Sequence, residues 1–183
     1  MKFCSNCSQP VVHKIPPGDN RIRAVCEYCN TIHYVNPNVV AGCIPVWEDK
    51  VLLCKRAIEP RHGYWTLPAG FMENQETLEE AAARECLEEA NARVKIQDVF
   101  TIYSLPHANQ IYMLYQAKLL DLNFSAGEES LEVGLYKEED IPWGNLAFRT
   151  IEYTLKNFFA DRKAGTYTVH TGALNKHNRY KDD

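Results

Sequence analysis

The sequence contains no apolar run near the roughly 20 residues that span a bilayer, and its start, MKFCSNCSQP, lacks the apolar core of a signal peptide. It also lacks an excess of positive charge, because its formal net charge is −4. A general attraction to nucleic acid or to an anionic membrane is therefore not expected. We predict a cytoplasmic protein, with 183 residues in one domain of ordinary size and a small attachment.

The seven cysteines cannot all pair as disulfides, and four of them have the spacing of metal ligands. Cys4 and Cys7 form one Cys-x-x-Cys knuckle, and Cys26 and Cys29 form a second knuckle after eighteen residues. Two such knuckles can provide four thiolates to a tetrahedral structural zinc site; unligated thiols or adventitious disulfides are the alternative. The turn residues Pro16–Asn20 favour a short strand on either side. Residues 1–36 thus look like a zinc ribbon.

Many zinc ribbons bind nucleic acid, but the charge of this segment does not favour that role. Its few lysines and arginines are opposed by Asp19 and Glu27, and four thiolates on one Zn²⁺ add further negative charge. No basic patch remains after this count. We predict that the ribbon is structural or serves in dimerisation.

The residues Gly70–Ala92 contain the pattern with the clearest chemistry. Thr77 is followed three residues later by Glu80, which is the spacing of a helix capping box. Strong helix formers then run over Leu78–Ala90 without Gly or Pro. The stretch also contains four acids and one base: Glu76, Glu85, Glu88, Glu89 and Arg84.

On a helix with 3.6 residues per turn, Glu85 and Glu89 lie one turn apart and Glu88 borders the same face. Arg84 has the spacing to reach Glu80 and Glu88. An apolar side formed by Ala83, Leu87 and Ala90 is expected to pack on a core while the acidic side faces outward. The alternative is an acidic helix face that is simply solvated.

The passage before this helix favours a metal site over a solvated acidic face. Residues Tyr64–Phe71 combine aromatic residues with Pro68 and Gly70, as in loops where the backbone approaches a ligand. Carboxylates and backbone carbonyls are the oxygen ligands that Mg²⁺ prefers, often together with substrate phosphates. We infer a magnesium-assisted reaction at a phosphoryl or pyrophosphoryl group.

The stretch resembles the Nudix hydrolase family, in which Gly, Glu, Arg-Glu and Glu-Glu recur at fixed spacing. Six residues fall in register: Gly70, Glu76, Arg84, Glu85, Glu88 and Glu89. The chain departs from the family pattern at three positions, Cys86, Asn91 and Ala92. Asn tolerates the left-handed conformation of a helix C-cap, and Cys and Ala are small and apolar, so these changes preserve the physical roles.

The resemblance implies roles for individual residues. It implies that Mg²⁺ or Mn²⁺ binds Glu85, Glu88, Glu89 and the Gly70 carbonyl. It also implies a general base, either Glu85 on the helix or a glutamate in the later acidic run 127–132, where we favour Glu129 or Glu132 over Glu128. The catalytic candidates are therefore Glu85, Glu88, Glu129, Glu132 and Arg84, although Arg84 and Glu76 are expected mainly to position the helix and its loop.

The resemblance also implies the fold, an α/β (α+β) domain with a mixed β-sheet between helices. Apolar alternation predicts strands over 39–56, with a turn at Glu48–Lys50, over 94–104 and over 110–120. A second helix is predicted over 147–161. We assign residues 1–36 to the ribbon, 38–162 to the hydrolase domain and 163–183 to a polar tail. Cys43 and Cys54 are predicted to be buried and inert.

The chain is similar to zinc-ribbon Nudix enzymes, including types that cleave FAD and ADP-ribose, and Pro106 is where family members acting on ADP-ribose tend to have a proline. The Ser-Gln-Pro-Trp motif of reduced-NAD diphosphatases is absent after the box. We predict hydrolysis of a small nucleoside diphosphate derivative into two monophosphates by a homodimer. The alternatives are an NADH, NAD or capped-RNA diphosphatase, or a nucleotide-binding regulator. A basic cluster, Lys55, Arg56, Arg61 and His62, suits a diphosphate but could equally be a solvated loop.

Overall fold

The structure is a computed structural model that describes residues 1–175. The chain divides into two compact units, Met1–Pro37 and a second unit that begins at Asn38. Within the described residues, no helix is both long and apolar enough to cross a membrane.

The first unit is a three-stranded antiparallel sheet with strands β1 (Val12–Lys14), β2 (Arg23–Val25) and β3 (Ile32–His33). Strands β1 and β2 pair across the Pro16–Asn20 turn, as the sequence predicted. Strand β3 was not predicted, since two residues are too few to show a pattern.

The four cysteines of the knuckles meet at one point of this unit. The Sγ atoms of Cys4, Cys7, Cys26 and Cys29 all lie within 4.8 Å of one another. Cys4 and Cys29 are 3.6 Å apart, and Cys7 and Cys26 are 3.5 Å apart. A tetrahedral site with Zn–S bonds of about 2.3 Å requires S–S distances of about 3.8 Å. The thiol positions therefore fit a zinc ion bound by these four residues.

We predict that Cys26→Ser lowers the zinc content from about one ion per chain to well below that, because three thiolates leave the tetrahedral site incomplete. The measurement is metal analysis of purified protein together with the melting temperature. Cys43→Ala is the control, because Cys43 is buried in the second unit. Full zinc content in the Cys26→Ser protein would contradict the site.

Within residues 38–175, the second unit is a mixed eight-stranded sheet with two α-helices and two short 3₁₀ helices, Glu138–Asp140 and Trp143–Asn145. Its strands and helices in chain order are β4 (Asn38–Trp47), β5 (Lys50–Arg56), β6 (Trp65–Thr66), β7 (Ala69–Phe71), α1 (Leu78–Ala90), β8 (Val94–Leu105), β9 (Gln110–Leu119), β10 (Ser130–Tyr136), α2 (Arg149–Ala164) and β11 (His170–Ala173). The main path through the sheet is β10-β5-β4-β9-β8-β11, with β6 on β5 and β7 on β4. The β4–β9 and β8–β11 pairs are parallel, and the other pairs are antiparallel.

Each face of the sheet packs a separate core, because successive side chains on a strand point to opposite faces. On β4, Cys43 belongs to the core that contains Ala82, Cys86 and Ala90 of α1. The next residue, Ile44, belongs to the core under α2, where Ile151, Leu155, Phe158 and Phe159 are buried. The predicted mixed sheet between helices is thus confirmed.

The predicted strands and helices are present in the structure with small differences at their ends, and one further strand was not predicted. Helix α1 has the predicted bounds, whereas α2 begins and ends later than predicted. Residues 163–175, assigned from sequence to a polar tail, include the end of α2 and strand β11. Strand β11 pairs in parallel with β8, from His170 beside Thr101 to Ala173 beside Ser104. Residues 176–183 of the predicted tail lie outside the described residues.

Candidate active site

Helix α1 is capped at both ends, by side-chain hydrogen bonds at its N-terminus and by a left-handed residue at its C-terminus. Thr77 Oγ1 accepts a hydrogen bond from the Glu80 N–H at 3.2 Å, and Glu80 Oε2 accepts one from the Thr77 N–H at 2.8 Å. At the other end, Asn91 has the left-handed values φ 47° and ψ 25°. The capping box and the left-handed asparagine cap are both confirmed.

The face on which α1 packs differs from the prediction. The buried stripe is Ala82, Cys86 and Ala90, at the i,i+4 spacing that suits packing on the sheet. Leu87, which was expected on the buried face of the helix, is 49% exposed. Because the stripe is rotated, the carboxylates of Glu85 and Glu89 lie at its border and are themselves buried, with 8% and 6% exposure. Glu85 and Glu89 are therefore set into the protein, whereas Glu88 remains exposed, as predicted for the acidic side.

Arg84 connects the helix to the loop before it. Its guanidinium donates two hydrogen bonds to the Glu76 carboxylate, at 3.0 and 2.9 Å, and one to the Phe71 carbonyl at 3.1 Å. It also donates to Glu85 Oε1 at 2.7 Å and to Glu88 Oε2 at 2.9 Å. The expected contact with Glu80 is not formed, since Glu80 caps the helix. Hydrogen bonds from Arg84 lower the pKa of Glu76 to about 2.

Burial raises the pKa of Glu89. Desolvation, followed by repulsion from Glu85, raises its pKa to about 8. A backbone hydrogen bond from Ala69 and attraction to Arg56 offset only part of that rise in pKa. Desolvation likewise raises the pKa of Glu85, against the opposing effect of Arg84. Two carboxylates that are costly to ionise side by side form a place where a divalent cation is favoured.

Gly70 makes room for one of these carboxylates. A Cβ atom at this position would lie 2.4 Å from the Cδ, Oε1 and Oε2 atoms of Glu85. The glycine belongs to β7, which pairs with β4. The absence of a side chain therefore lets the Glu85 carboxylate pack directly on the backbone of the strand.

A loop after β9 brings more carboxylates to the same place. The N–H groups of Ser125 and Gly127 donate to the carbonyls of Ala90 and Glu89, at 2.9 and 3.0 Å. Gly127 lies so close to α1 that a Cβ atom there would be 1.8 Å from the Glu88 carbonyl oxygen. This contact places the two residues that follow, Glu128 and Glu129, beside the helix.

The glutamates converge on a cleft of about 780 Å³. Its lining includes five that the sequence analysis considered: Glu85, Glu88, Glu89, Glu128 and Glu129. Gly70 and Arg84 also line the cleft. Glu132 does not. It lies on β10 opposite Lys55, and the two side chains form an exposed ion pair at 3.4 Å.

The chemistry of the cleft fits Mg²⁺ or Mn²⁺, and Glu85, Glu88 and Glu89 with the Gly70 carbonyl could bind it. The carboxylate oxygens of these glutamates lie farther from one another than the Sγ atoms of the four cysteines do. Within residues 1–175, only the four cysteines form a group of ligand atoms within 4.8 Å of one another. The carboxylates of Glu85 and Glu88 both accept hydrogen bonds from the Arg84 guanidinium.

Several lining residues were not singled out from the sequence. Gln110 and Tyr112 project from the same face of β9, as residues two apart on a strand do. Phe148 lies just before α2, and the Arg56 guanidinium sits over its ring at 5.2 Å from the centroid. The period of β9 could have shown that Gln110 and Tyr112 share a face. Nothing in the sequence placed that face, or Phe148, beside the glutamates.

Comparison with known proteins identifies the family. Residues 36–153 match the family described as NUDIX domain, and residues 2–35 match the family described as Nudix N-terminal, a zinc ribbon. The chain therefore belongs to the Nudix hydrolase family and has the family's N-terminal zinc ribbon. The resemblance drawn from the sequence is confirmed.

Several individual proteins are similar to this chain over most of its length. The chain is 32% identical over 167 residues to proteins named NAD-capped RNA hydrolase NudC from Salmonella heidelberg and Salmonella typhi. The match covers 84% of this chain but spans only 60% of the length of those relatives. A crystal structure of a NUDIX hydrolase from Nitrosomonas europaea is 58% identical, with a TM-score of 0.94, and the match covers 96% of this chain and 100% of that one.

A more distant structure shares the fold alone. It is an ADP-ribose pyrophosphatase from Streptococcus suis, 19% identical, with a TM-score of 0.60 and coverage of 75% of this chain and 100% of that one.

We predict that Gly127→Ala lowers kcat/KM by about tenfold or more, because the loop must move away from α1 and take Glu128 and Glu129 with it. The measurement is steady-state kinetics on whichever diphosphate the protein hydrolyses. Gly144→Ala is the matched control, since a Cβ atom there would meet nothing within 4 Å. Equal kinetics for the two variants would show that the close contact does not position the loop.

We also predict a pH-dependent stability in protein that is zinc-loaded but free of Mg²⁺ and Mn²⁺. The folded-state pKa of Glu89, about 8, lies above its ordinary value of 4.5, so the folded state retains a proton that the unfolded state releases. The stabilisation is complete below pH 4.5 and is lost as the pH rises through 8. The melting temperature should fall across this window, and Glu89→Gln should flatten the fall. A Glu89→Gln curve parallel to that of the wild type would contradict the assignment.

Proposed function

We propose that this chain hydrolyses the diphosphate bond of a nucleoside diphosphate linked to another moiety, with FAD and ADP-ribose as the favoured substrates. The products are two monophosphates. The observation that carries the proposal is the convergence of five glutamates from α1 and the 127–130 loop on one cleft, with Glu85 and Glu89 buried. Such a cleft favours divalent cations, and a diphosphate brings the negative charge that those cations bind.

In this proposal, Glu85, Glu88, Glu89 and the Gly70 carbonyl bind Mg²⁺ or Mn²⁺. When bound, the metal neutralises the diphosphate and lowers the pKa of a water molecule. A glutamate removes a proton from that water, whose oxygen attacks one phosphorus while the bridging oxygen leaves with the other. Arg84 holds Glu76 and the loop after β7 in place and so acts as a positioning residue.

Two glutamates compete for the role of general base, Glu85 and Glu129. Both line the cleft, but Glu85 accepts a hydrogen bond from Arg84. Glu129 has no hydrogen bond from another side chain within the described part of the chain, and its backbone carbonyl is fixed by the Ala57 N–H at 2.8 Å. This favours Glu129, with Glu128 as its neighbour. Glu132 stays a candidate from the sequence, although its place opposite Lys55 does not support it.

The walls of the cleft suit a nucleotide. Tyr112 and Phe148 offer aromatic surface, and Arg56 lies over the Phe148 ring. Base and sugar can pack on such rings while Arg56 attracts a phosphate. Phe71, which is 53% exposed at the same cleft, provides a further ring. We infer that one half of the substrate packs against these residues.

The second candidate is a diphosphatase of NAD or of NAD-capped RNA. It is favoured by the relatives named NAD-capped RNA hydrolase, which are 32% identical to this chain. Against it, the turn Leu105–Asn109 at the end of β8 lacks the Ser-Gln-Pro-Trp motif of reduced-NAD diphosphatases. The matched region also leaves out about 40% of those relatives. A nucleotide-binding regulator is a third candidate, disfavoured because all the box acids are present.

The experiment is product analysis with Mg²⁺ or Mn²⁺ over a panel of FAD, ADP-ribose, NADH, nucleoside triphosphates and NAD-capped RNA. We expect AMP and a partner monophosphate from FAD or ADP-ribose. Glu89→Gln should lower kcat by about 100-fold or more, because it removes a metal ligand. Glu129→Gln should lower kcat similarly. Glu139→Gln is the control, since Glu139 is exposed and outside the cleft.

The outcomes separate the candidates. Efficient cleavage of NADH or capped RNA with little cleavage of FAD and ADP-ribose would favour the second candidate. The absence of turnover by folded, zinc-loaded protein would favour a regulator. The predicted homodimer and cytoplasmic location stay predictions, and measurement of the molar mass in solution tests the first.

A further inference from the structure

A second cavity of about 370 Å³ adjoins the acidic cleft and shares Gln110, Tyr112 and Phe148 with it. The two cavities differ in charge. Seven glutamates line the cleft, whereas the described lining of the second cavity has no acidic residue and includes Arg61, Arg149 and a histidine. We call this second cavity the basic lobe. Its composition favours an anion where the cleft favours a cation.

Arg61 is held in the lobe in a conformation that residues with side chains seldom adopt. Its φ of 69° lies in the left-handed region, and such strain persists where the surrounding structure fixes it, often at a binding site. The Arg61 guanidinium lies over the Tyr64 ring, at 5.3 Å from the centroid. Within residues 1–175 it forms no ion pair with a carboxylate. Its positive charge is thus available to a ligand.

The N-terminus of α2 forms another wall of the lobe. The helix begins at Arg149, and the residue before it, Phe148, provides no side-chain cap. An uncapped helix N-terminus carries partial positive charge and attracts anions. The Arg149 guanidinium donates to the Tyr153 hydroxyl at 2.9 Å and lies over that ring, which orients it.

Thr150 gives a separate indication of a ligand. It lines the lobe and is 2% exposed, yet its Oγ1 has no hydrogen-bond partner among the described residues. Buried hydroxyl groups are nearly always hydrogen-bonded, so one without a partner calls for an explanation. A ligand oxygen in the lobe would provide the missing partner.

We propose that the basic lobe binds a phosphomonoester that the substrate carries in addition to its diphosphate. This rests on the proposed function, because the lobe is continuous with the cleft where that diphosphate would be cleaved. The Arg61 guanidinium and a helix N-terminus, with the added positive charge of Arg149, suit a phosphomonoester, whose charge is about −1.5 to −2 near pH 7. A phosphodiester, as in RNA, has a single charge and is matched less well.

The lobe depends on a part of the chain outside the shared domain. Leu174 and Asn175 line it, and they lie beyond residue 153, where the match to the NUDIX domain ends. The Leu174 N–H donates to the Ser104 carbonyl at 2.9 Å, which continues the pairing of β11 with β8. Selection for an extra phosphate is therefore a property of this chain and of relatives that have the same strand.

The test compares kcat/KM for two matched pairs, coenzyme A against dephospho-coenzyme A and NADPH against NADH. We expect the phosphorylated member of at least one pair to be preferred by about tenfold or more. Arg61→Gln and Thr150→Val should remove the preference and leave the other member within about twofold of wild type. Arg93→Gln, an exposed arginine paired with Asp121, should keep it. No preference in the wild type, or one unchanged in both variants, would overturn the proposal.

A binding measurement separates this inference from the proposed function, since it needs no turnover. Calorimetric titration of Glu89→Gln protein with adenosine 3′,5′-bisphosphate and with AMP should show tighter binding of the bisphosphate, and adding Arg61→Gln should remove the difference. Equal affinities, or a difference that survives Arg61→Gln, would overturn the lobe even if diphosphates are hydrolysed. A preference confined to NAD-capped oligonucleotides, whose added phosphate is a diester, would overturn the monoester assignment.

Discussion

The burial of two like charges side by side is the constraint on which the second unit depends. Glu85 and Glu89 lie one turn apart on α1 and are almost inaccessible to water, so ionising both without a cation is costly. Arg84 offsets part of this negative charge, because its guanidinium donates to the carboxylate of Glu85 and also to those of Glu88 and Glu76. The remaining unfavourable charge is what makes the cleft a place for divalent metal.

Holding those carboxylates requires close packing that leaves little room for side chains. Small residues of α1, such as Ala82 and Cys86, seat the helix on the sheet and bring the carboxylates to the strand edge. Gly70 lets Glu85 pack on the β7 backbone, and Gly127 lets the later loop touch α1. The site is therefore built at two points of contact where any Cβ atom would collide.

Charge is segregated along the surface that would contact substrate. The acidic cleft and the basic lobe share an aromatic wall that includes Tyr112 and Phe148, so a single extended molecule could contact both. In the proposed function, the cleft would bind the diphosphate with its metal ions and the basic lobe would bind a further phosphate. The distance between these two sites would then select substrates by the positions of their phosphates.

The sequence by itself determined the features that depend on near neighbours in the chain: the zinc knuckles, the bounds of α1 from its capping box and Asn91, and the box acids. Local spacing sets all of these. Only the tertiary structure decided which face of α1 is buried, that Glu129 lines the cleft while Glu132 pairs with Lys55, and that the residues just after β11 line the basic lobe. These depend on contacts between residues far apart in the chain, whose register and rotation no local pattern records.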